Sequence, residues 1–288
     1  MKNILSRVLL FCLAIPALYG TALFLPYARH VILAVLIVVF ACGAGLELLA
    51  LAEPGASRGR KLTAALLAGL PTVAAYMGGY VLAGPAVSAW LVSVGLAVLG
   101  LFLVTGLGMA FPRSPEAMAL SLKKASANAL LLAYPGMLAS SLIPVIGTPG
   151  IGGRLIVWFS LIVFANDSLA WLIGISLGRR RGIFKASPNK SLEGLVAGMA
   201  GSIGGAMAGP LLLPSLVPQS WLLLGAVGCG LGVLVVAGDL FESALKRAAA
   251  VKDSGAAIPG RGGFLDSFDS ILFAAPAFMV FVSVLGLA

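Results

Sequence analysis

The stretch VILAVLIVVFACGAGL, residues 31–46, decides the class of fold because it contains no charged side chain. A helix needs about 20 mostly apolar residues to cross the hydrocarbon core of a bilayer. With its neighbours, this stretch forms one predicted transmembrane helix at 30–51. The same criterion predicts further helices at 8–26, 63–83, 87–111, 126–147, 155–177, 194–215, 220–240 and 269–287. The sequence therefore predicts an all-α integral membrane protein with about nine transmembrane helices.

The overall composition supports the same class. Of the 288 residues, 60% are hydrophobic and 10% are charged, whereas soluble domains carry about 25% charged residues. Lipid must be the solvent for most of this chain. The net charge of +9 is explained by basic loops that set membrane topology, so no nucleic-acid partner is expected. Cys12, Cys42 and Cys229 lie in apolar runs, and the single histidine, His30, excludes a multi-histidine metal site.

The basic residues predict the orientation of the helices. With the N-terminus placed in the cytoplasm, all but two of the 19 Lys and Arg residues fall in cytoplasmic segments. The exceptions are Arg29 and Arg154. The positive-inside rule then predicts a cytoplasmic N-terminus and a C-terminus outside. Lys2 and Arg7 before an apolar run also occur in signal peptides, but the many later apolar segments favour an uncleaved first transmembrane helix.

The polar residues divide the chain into two halves of one polytopic membrane domain, 1–288. Residues 1–150 read mainly as scaffold, and their acids, Glu47, Glu53 and Glu116, lie near cytoplasmic helix ends or in loops. Residues 155–288 form the predicted catalytic half, with long cytoplasmic loops at 178–193 and 241–268. Several glycines in this half are predicted to let helix backbones pack closely: Gly198, Gly201, Gly204, Gly205 and Gly209.

The region 239–270 contains a concentration of acidic and basic side chains. The eighth helix is predicted to continue past residue 240, which would place four polar residues on one face: Asp239, Glu242, Ser243 and Lys246. Asp266 and Asp269 would share one face at the start of the last helix. Carboxylates that converge with lysine and arginine at a membrane surface are typical of a magnesium–phosphate site. The simpler alternative is an interfacial loop followed by an aspartate helix cap.

A glycine-rich loop lies between those two groups of residues. It reads Pro259-Gly260-Arg261-Gly262-Gly263, and residues 254–258 separate it from Lys252 and Asp253. Glycines allow a close approach of the backbone to a ligand, so the loop is predicted to bring backbone N–H groups near an anion.

Two further clusters complete the set of candidate residues. Asn166 and Asp167 lie inside the predicted sixth helix, where a charged residue costs about 2.5–3.5 kcal/mol and usually marks a function or a buried partner. Ser187, Lys190 and Glu193 follow in the next cytoplasmic loop. Lys190 could extend toward the interface, and Glu193 could lie in the first turn of the seventh helix, where its charge suits the helix dipole.

Taken together, these motifs resemble the phosphatidate cytidylyltransferases, the CDP-diacylglycerol synthases. The signature part reads Ser243-x2-Lys246-Arg247-x4-Lys252-Asp253-x-Gly255-x2-Ile258-Pro259-Gly260-x-Gly262-Gly263-x2-Asp266-x2-Asp269. Asn166-Asp167-Ser168 and Ser187-Pro-Asn-Lys-Ser-Leu-Glu-Gly resemble two further family motifs, in the family's order. The resemblance covers about the last 120 residues.

The resemblance implies transfer of CMP from CTP to phosphatidic acid, with release of pyrophosphate, at the cytoplasmic face of a bacterial inner membrane. It implies Mg²⁺, with room for a second cation such as K⁺, and a homodimer. Catalytic roles fall to Asp253, Asp266 and Lys252, and metal binding to Asp253, Asp266, Asp269 and Asp167. The expected substrate-binding residues are Asn166, Ser187, Lys190, Asp239, Ser243, Lys246, Arg247 and Arg261.

The chain departs from the family pattern at two positions. Arg261 stands where the family usually has histidine, and Ser267 stands where it usually has arginine. Two other classes of function stay open beside the implied one. An anion transporter would use Asp167 and Asp239 as coupling sites, but the acids occur in one half only, without the inverted repeat that transporters often show. A CTP-dependent polyprenol kinase is a related alternative, and it would release CDP in place of pyrophosphate.

Overall fold

The structure, a computed structural model, describes residues 2–81, 86–111, 114–258 and 260–287. Over these residues the secondary-structure elements are all helices, apart from two isolated β-bridges. Pro259 of the predicted glycine-rich loop and the side chain of Cys12 lie outside the described part. The helices of the first half are α1 (Lys2–Phe24), α2 (Tyr27–Ala52), α3 (Arg58–Val81), α4 (Ala86–Ala110) and α5 (Pro115–Leu131).

The predicted helix at 126–147 is a composite of several elements. After α5, the chain forms a π-helical segment, Leu132–Met137, and two short helices, α6 (Leu138–Ser140) and α7 (Leu142–Ile146). Pro135 lies inside the π-helical segment. Proline lacks an N–H donor and clashes with the preceding turn, which explains why the regular helix is interrupted here. The predicted span at 126–147 is confirmed as the second part of the longer apolar segment Pro115–Ile146, which is built from several helical elements.

The second half contains α8 (Gly152–Ser176), α9 (Leu192–Met207), α10 (Gly209–Leu212), α11 (Trp221–Ala248) and α12 (Leu265–Val284). Helix α11 continues past residue 240, as predicted, and Asp266 lies in the first turn of α12. The intervening loop is consequently shorter than the predicted 241–268.

Seven helical segments of the described part are long and apolar enough to cross a membrane. They begin at Tyr27, Arg58, Pro115, Gly152, Leu192, Trp221 and Leu265. Two shorter apolar segments, Leu13–Phe24 and Trp90–Leu103, coincide with the other two predicted spans. The predicted class, a helical protein that crosses the membrane many times, is confirmed.

Helices α8 and α9 pack closely because α9 presents glycines along one face. A Cβ added at Gly198 would lie 2.8 Å from Asn166 Oδ1, and one at Gly205 would lie 2.8 Å from the Ile162 Cα. A Cβ added at Gly204 would have nothing within 4 Å. The predicted role of Gly204 in close helix packing is therefore wrong. The close contact brings Asn166 of α8 beside α9.

Aromatic packing joins α12 to the same core. The Trp158 ring on α8 is fully buried and lies 5.5 Å from the Phe278 ring, edge to face. Its indole N–H lies 3.2 Å from the Gly205 carbonyl oxygen of α9. A buried indole needs such a partner. This core fixes α8, α9 and α12 together and places the C-terminal end of α8 beside the N-terminal ends of α9 and α12.

Candidate active site

A cavity of about 500 Å³ opens where the ends of four helices meet. The C-terminal part of α8, the N-terminus of α9, the C-terminal half of α11 and the N-terminus of α12 contribute to its wall. Cavities that bind small molecules usually measure about 300–1,000 Å³. Four carboxylates and four cations line it: Asp167, Asp239, Asp266, Asp269, Arg181, Lys190, Lys246 and Arg261.

Asp239 on α11 is paired across the cavity. Its Oδ2 lies 2.6 Å from Lys190 Nζ, which comes from the loop between α8 and α9. The Ser243 hydroxyl, one helical turn farther along α11, donates to Asp239 Oδ1 at 3.3 Å. Three residues that the sequence assigned to substrate binding are therefore in direct contact, although Ser243 does not itself line the cavity.

Lys246 connects α11 to α12. Its ammonium group lies 2.6 Å from Asp266 Oδ1 and also pairs with the carboxylate of Glu242, one turn earlier on α11. Glu242 is fully buried. Because burying a charge without a partner is costly, the position of Lys246 between two carboxylates stabilises both of them.

Asp266 also organises the loop that precedes α12. Its Oδ2 accepts hydrogen bonds from the backbone N–H groups of Ser254 and Gly263, each at 2.8 Å, and lies 2.8 Å from the Ser254 hydroxyl. Together with Lys246, these contacts occupy most of the acceptor capacity of the carboxylate. The metal-binding role predicted for Asp266 would require Lys246 or one of these donors to move away.

The glycine-rich loop folds onto itself. The N–H of Arg261 donates to the Ile258 carbonyl oxygen at 3.1 Å, and Gly260 has a φ of +78°. A positive φ is typical of glycine in a tight turn, and the bond from residue 261 to residue 258 closes this turn. The Gly262 N–H also donates to Ile258, and the Gly263 N–H to Asp266. In this conformation the N–H groups of residues 261–263 are bonded within the protein, and the anion that one of them contacts is the Asp266 carboxylate. Contacts from this loop to a bound anion stay a prediction.

Asp167 and Asp269 complete the acidic side of the cavity. Asp269 is 9% exposed and accepts a hydrogen bond from the Ser270 N–H at 2.7 Å. The charges of Asp167, Asp239 and Asp269 interact with one another, and that of Asp167 also interacts with Arg261. These residues are distant in sequence, and the packing of α8, α11 and α12 brings them together.

The side chain of Asn166 bonds to another helix, whereas a residue that binds a nucleotide would direct its polar atoms into the cavity. Its side-chain amide donates to the Ser202 hydroxyl on α9 at 2.8 Å, and the residue is 1% exposed. Asn166 lines the cavity, but its visible bond joins α8 to α9. Its predicted role in substrate binding stays a prediction.

The loop between α8 and α9 is anchored by its own residues. The Arg181 guanidinium donates to the carbonyl oxygens of Gly174 and Asn189 at 2.7 and 2.9 Å. Glu193, in the first turn of α9 as predicted, accepts from the N–H groups of Arg179 and Arg180 at 3.1 and 3.2 Å. These bonds hold Ser187 and Lys190 at the cavity wall.

Three predicted site residues lie elsewhere. Asp253 and Lys252 are exposed and do not line the cavity. Arg247 donates to the carbonyl oxygens of Ala186 and Val251 at 3.3 and 3.1 Å, so it ties the two loops together from the outside. None of the three lines the cavity. Their catalytic and substrate-binding roles stay predictions.

Sequence reasoning missed two residues that shape the site. Arg181 was read as part of a topology signal, yet it lines the cavity. Glu47 was assigned to the scaffold half, yet its carboxylate contacts the loop that precedes α12. A glutamate in a long apolar helix, directly after the uncharged stretch 31–46, was the available signal for the second residue.

The acidic residues of the cavity fit a divalent cation that is bound partly by carboxylates and partly by the oxygens of a phosphate group. No three His, Cys, Asp or Glu side chains in the described ranges converge closely enough to form a complete metal site. Magnesium needs only one or two carboxylates, because water and phosphate oxygens supply the rest of its shell. Asp167, Asp239 and Asp269 provide such carboxylates at the cavity wall.

The fold and the site define a helical membrane protein with a cavity at one end of its helices. Equal numbers of acidic and basic side chains line this cavity. Comparison with known families gives the more particular assignment. The model of the cytidylyltransferase family matches residues 6–285. The chain belongs to this family, and the resemblance seen in the motifs is confirmed.

Individual relatives match over shorter stretches. The chain is 35% identical to a Thermotoga maritima phosphatidate cytidylyltransferase over 55% of its own length and 60% of that protein. It is 38% identical to the Bacillus subtilis phosphatidate cytidylyltransferase over 50% of its own length and 52% of that protein. The Escherichia coli protein YnbB, which is named as uncharacterised, is 42% identical over 46% of this chain and 43% of its own length. The matches thus span about half the length of these relatives.

Proposed function

We propose that this protein is a phosphatidate cytidylyltransferase that transfers CMP from CTP to phosphatidic acid and releases pyrophosphate. The observation that carries the proposal is the convergence of four carboxylates and four cations on one cavity at the ends of four helices. Membership of the cytidylyltransferase family supports the nucleotide, and the names of the Thermotoga and Bacillus relatives support the lipid substrate.

In the proposed reaction, a phosphate oxygen of phosphatidic acid attacks the α-phosphorus of CTP. A P–O bond forms to the lipid phosphate, the bond between the α- and β-phosphates breaks, and pyrophosphate leaves with the electron pair. Such transfers need positioning and charge neutralisation more than covalent help from the protein. Lys190, Lys246, Arg181 and Arg261 are the cavity cations suited to binding phosphate oxygens.

Mg²⁺ is the proposed cofactor, held by one or two of the carboxylates of Asp167, Asp239 and Asp269 together with phosphate oxygens. It would neutralise charge on the triphosphate when bound. Asp239 could hold the cation only if its pair with Lys190 opened, and Lys190 is itself a cavity cation suited to a phosphate oxygen. The second cation and the homodimer implied by the family resemblance remain predictions.

The lipid substrate is proposed to enter sideways from the bilayer. Trp171, Ile175 and Leu195 line the cavity beside the charged residues. Trp171 is 64% exposed, so this side of the cavity faces the region that lipid would fill. Only the head group of the substrate needs to reach Asp269 and its neighbours.

Pyrophosphate release tests the proposed reaction. Purified protein in detergent would be given CTP, Mg²⁺ and phosphatidic acid, and each would be omitted in turn. We expect release only when all three are present, together with CDP-diacylglycerol in the lipid fraction. Formation of CDP from an isoprenoid alcohol would favour the polyprenol kinase, and no turnover by folded protein with either lipid would contradict the proposal.

The site is proposed to face the cytoplasm, with the N-terminus on the same side. In a background with Cys12, Cys42 and Cys229 replaced by serine, Lys185→Cys is expected to react with an impermeant maleimide in inverted vesicles but not in intact cells. Pro149→Cys, in the loop at the opposite ends of the helices, is the matched control and should show the reverse pattern. Labelling of Lys185→Cys in intact cells would overturn the orientation.

A further inference from the structure

The loop that carries Arg261 and Asp266 into the cavity is attached to a carboxylate of the first half of the chain. Glu47, on α2, lies more than 200 residues earlier in the sequence. Its Oε1 accepts a hydrogen bond from the Phe264 N–H, and its Oε2 accepts one from the Leu265 N–H, both at 2.9 Å. The Ser254 hydroxyl lies 2.9 Å from the same Oε2.

These bonds cap α12 from another helix. The first N–H groups of a helix have no partner within it, and they are usually satisfied by a side chain at the N-cap position. That position in α12 is Phe264, which has no side-chain acceptor. Glu47 instead accepts from the first two N–H groups at this end, those of Phe264 and Leu265, and its negative charge suits the positive end of the helix dipole.

Two glycines of the loop allow this contact. A Cβ added at Gly255 or at Gly263 would collide with the Glu47 carboxylate. These two signature glycines therefore lie against the Glu47 side chain of α2, whereas a Cβ at Gly262 would meet Asp266. Because the Ser254 hydroxyl also lies 2.8 Å from Asp266 Oδ2, Glu47 is linked through Ser254 to a residue of the cavity wall.

We propose that Glu47 is a positioning residue of the active site: it fixes the N-terminus of α12 and the preceding loop so that Arg261 and Asp266 face the cavity. The first half of the chain then contributes directly to the geometry of the site. This inference rests on the proposed function for its kinetic readout, but its structural readout is independent of any activity.

Glu47→Gln is the informative substitution because it keeps the size of the side chain. The amide has one oxygen and one NH₂ group. Either orientation turns that NH₂ group toward a backbone N–H, that of Phe264 or that of Leu265, so at least one capping bond is lost. Glu53→Gln is the matched control, since Glu53 follows the same helix and pairs with Arg60, away from the loop.

Hydrogen exchange in detergent tests the attachment. For Glu47→Gln we expect the amides of residues 254–265 to exchange about tenfold faster, with the rest of the described helices unchanged. Glu53→Gln should leave this segment at the wild-type rate. Ser254→Ala, which keeps both backbone bonds, provides a second variant with an intermediate effect if Glu47→Gln fails to fold.

Kinetics test the consequence for the site. We expect kcat/KM for CTP to fall about 100-fold in Glu47→Gln, since small displacements of substrate-positioning groups cost this much. In an Arg261→Ala background part of that loss should disappear, because one of the two positioned residues is already absent. If Glu47→Gln acted only through a general loss of stability, it would lower kcat/KM by the same factor in the wild-type and Arg261→Ala backgrounds.

Unchanged exchange of residues 254–265 in Glu47→Gln would overturn the proposal. Faster exchange without a loss of kcat/KM would also overturn it, because the attachment would then not serve the site. If the wild-type protein releases no pyrophosphate, only the proposed function fails. The exchange measurement with Glu47→Gln still decides whether Glu47 holds the loop.

Discussion

The loop between α8 and α9 and the loop between α11 and α12 both border the cavity, yet they are held by different parts of the chain. Arg181 and Glu193 hold the first, and both bond to the backbone within 14 residues of themselves. Asp266 and Glu47 hold the second, and Glu47 lies 218 residues from its most distant partner. Local bonds therefore anchor the two ends of the first loop, which also contacts α11 through Lys190 and Arg247. The second loop depends on the packing of α2 against α12.

The largest expected effect lies at a residue that anchors neither loop. Asp269→Asn removes one of the three interacting carboxylates while keeping the shape of the side chain. We expect turnover to fall about 1,000-fold with folding intact, because a preorganised charge at the reacting phosphates is lost. Pyrophosphate release measures the effect, and size-exclusion chromatography checks the fold. Glu116→Gln, at an exposed position of α5, is the control, and a loss below tenfold would remove Asp269 from the reaction centre.

A smaller effect, on stability as well as activity, is expected where the second loop meets α11. Lys246→Met leaves the buried Glu242 carboxylate without its cation, and the Lys246 side chain is itself only 12% exposed. We expect the free energy of unfolding to fall by about 3 kcal/mol, measured as a lower thermal midpoint in detergent.

A second substitution separates stability from activity at Lys246. Adding Glu242→Gln to Lys246→Met should raise the midpoint again, because the unpaired charge is removed, but it should not restore pyrophosphate release. A midpoint that does not recover would show that Lys246 stabilises the protein by some interaction other than its pair with Glu242.

The smallest effect is expected in the locally held loop. Glu193→Gln weakens the bonds to the N–H groups of Arg179 and Arg180 on an exposed surface, while the Arg181 bonds to α8 remain. We expect KM for CTP to rise about threefold at most, in line with the weakness of exposed charged contacts. A loss comparable with that of Glu47→Gln would mean that the two loops are equally dependent on single carboxylates.

The same contrast explains how far the sequence could be read. The helices followed from apolar length, and Asp239, Asp266 and Lys246 from their spacing on helix faces and their family motifs. Pro135 was visible in the sequence, but the helix break at 132–137 depends on packing as well as on proline. The bond from Glu47 to α12 could not be foreseen, because it joins segments related only by tertiary packing. The bonds from the loop N–H groups to Ile258 and Asp266 are local, since they span three or four residues, but they depend on the turn conformation that the loop adopts.

The equal numbers of acidic and basic groups in the cavity have a consequence for the rate at which an anion arrives. A balanced set of charges produces little field at a distance, so the cavity itself cannot guide a nucleotide from solution. That guidance falls to the exposed basic residues of the outer loops, among them Arg179, Arg180 and Lys185. Raising the ionic strength should therefore slow association steeply and leave dissociation almost unchanged. The exposed basic residues would thus attract the nucleotide, and the charged residues of the cavity would take part in the reaction. Both sets lie at the same end of the protein.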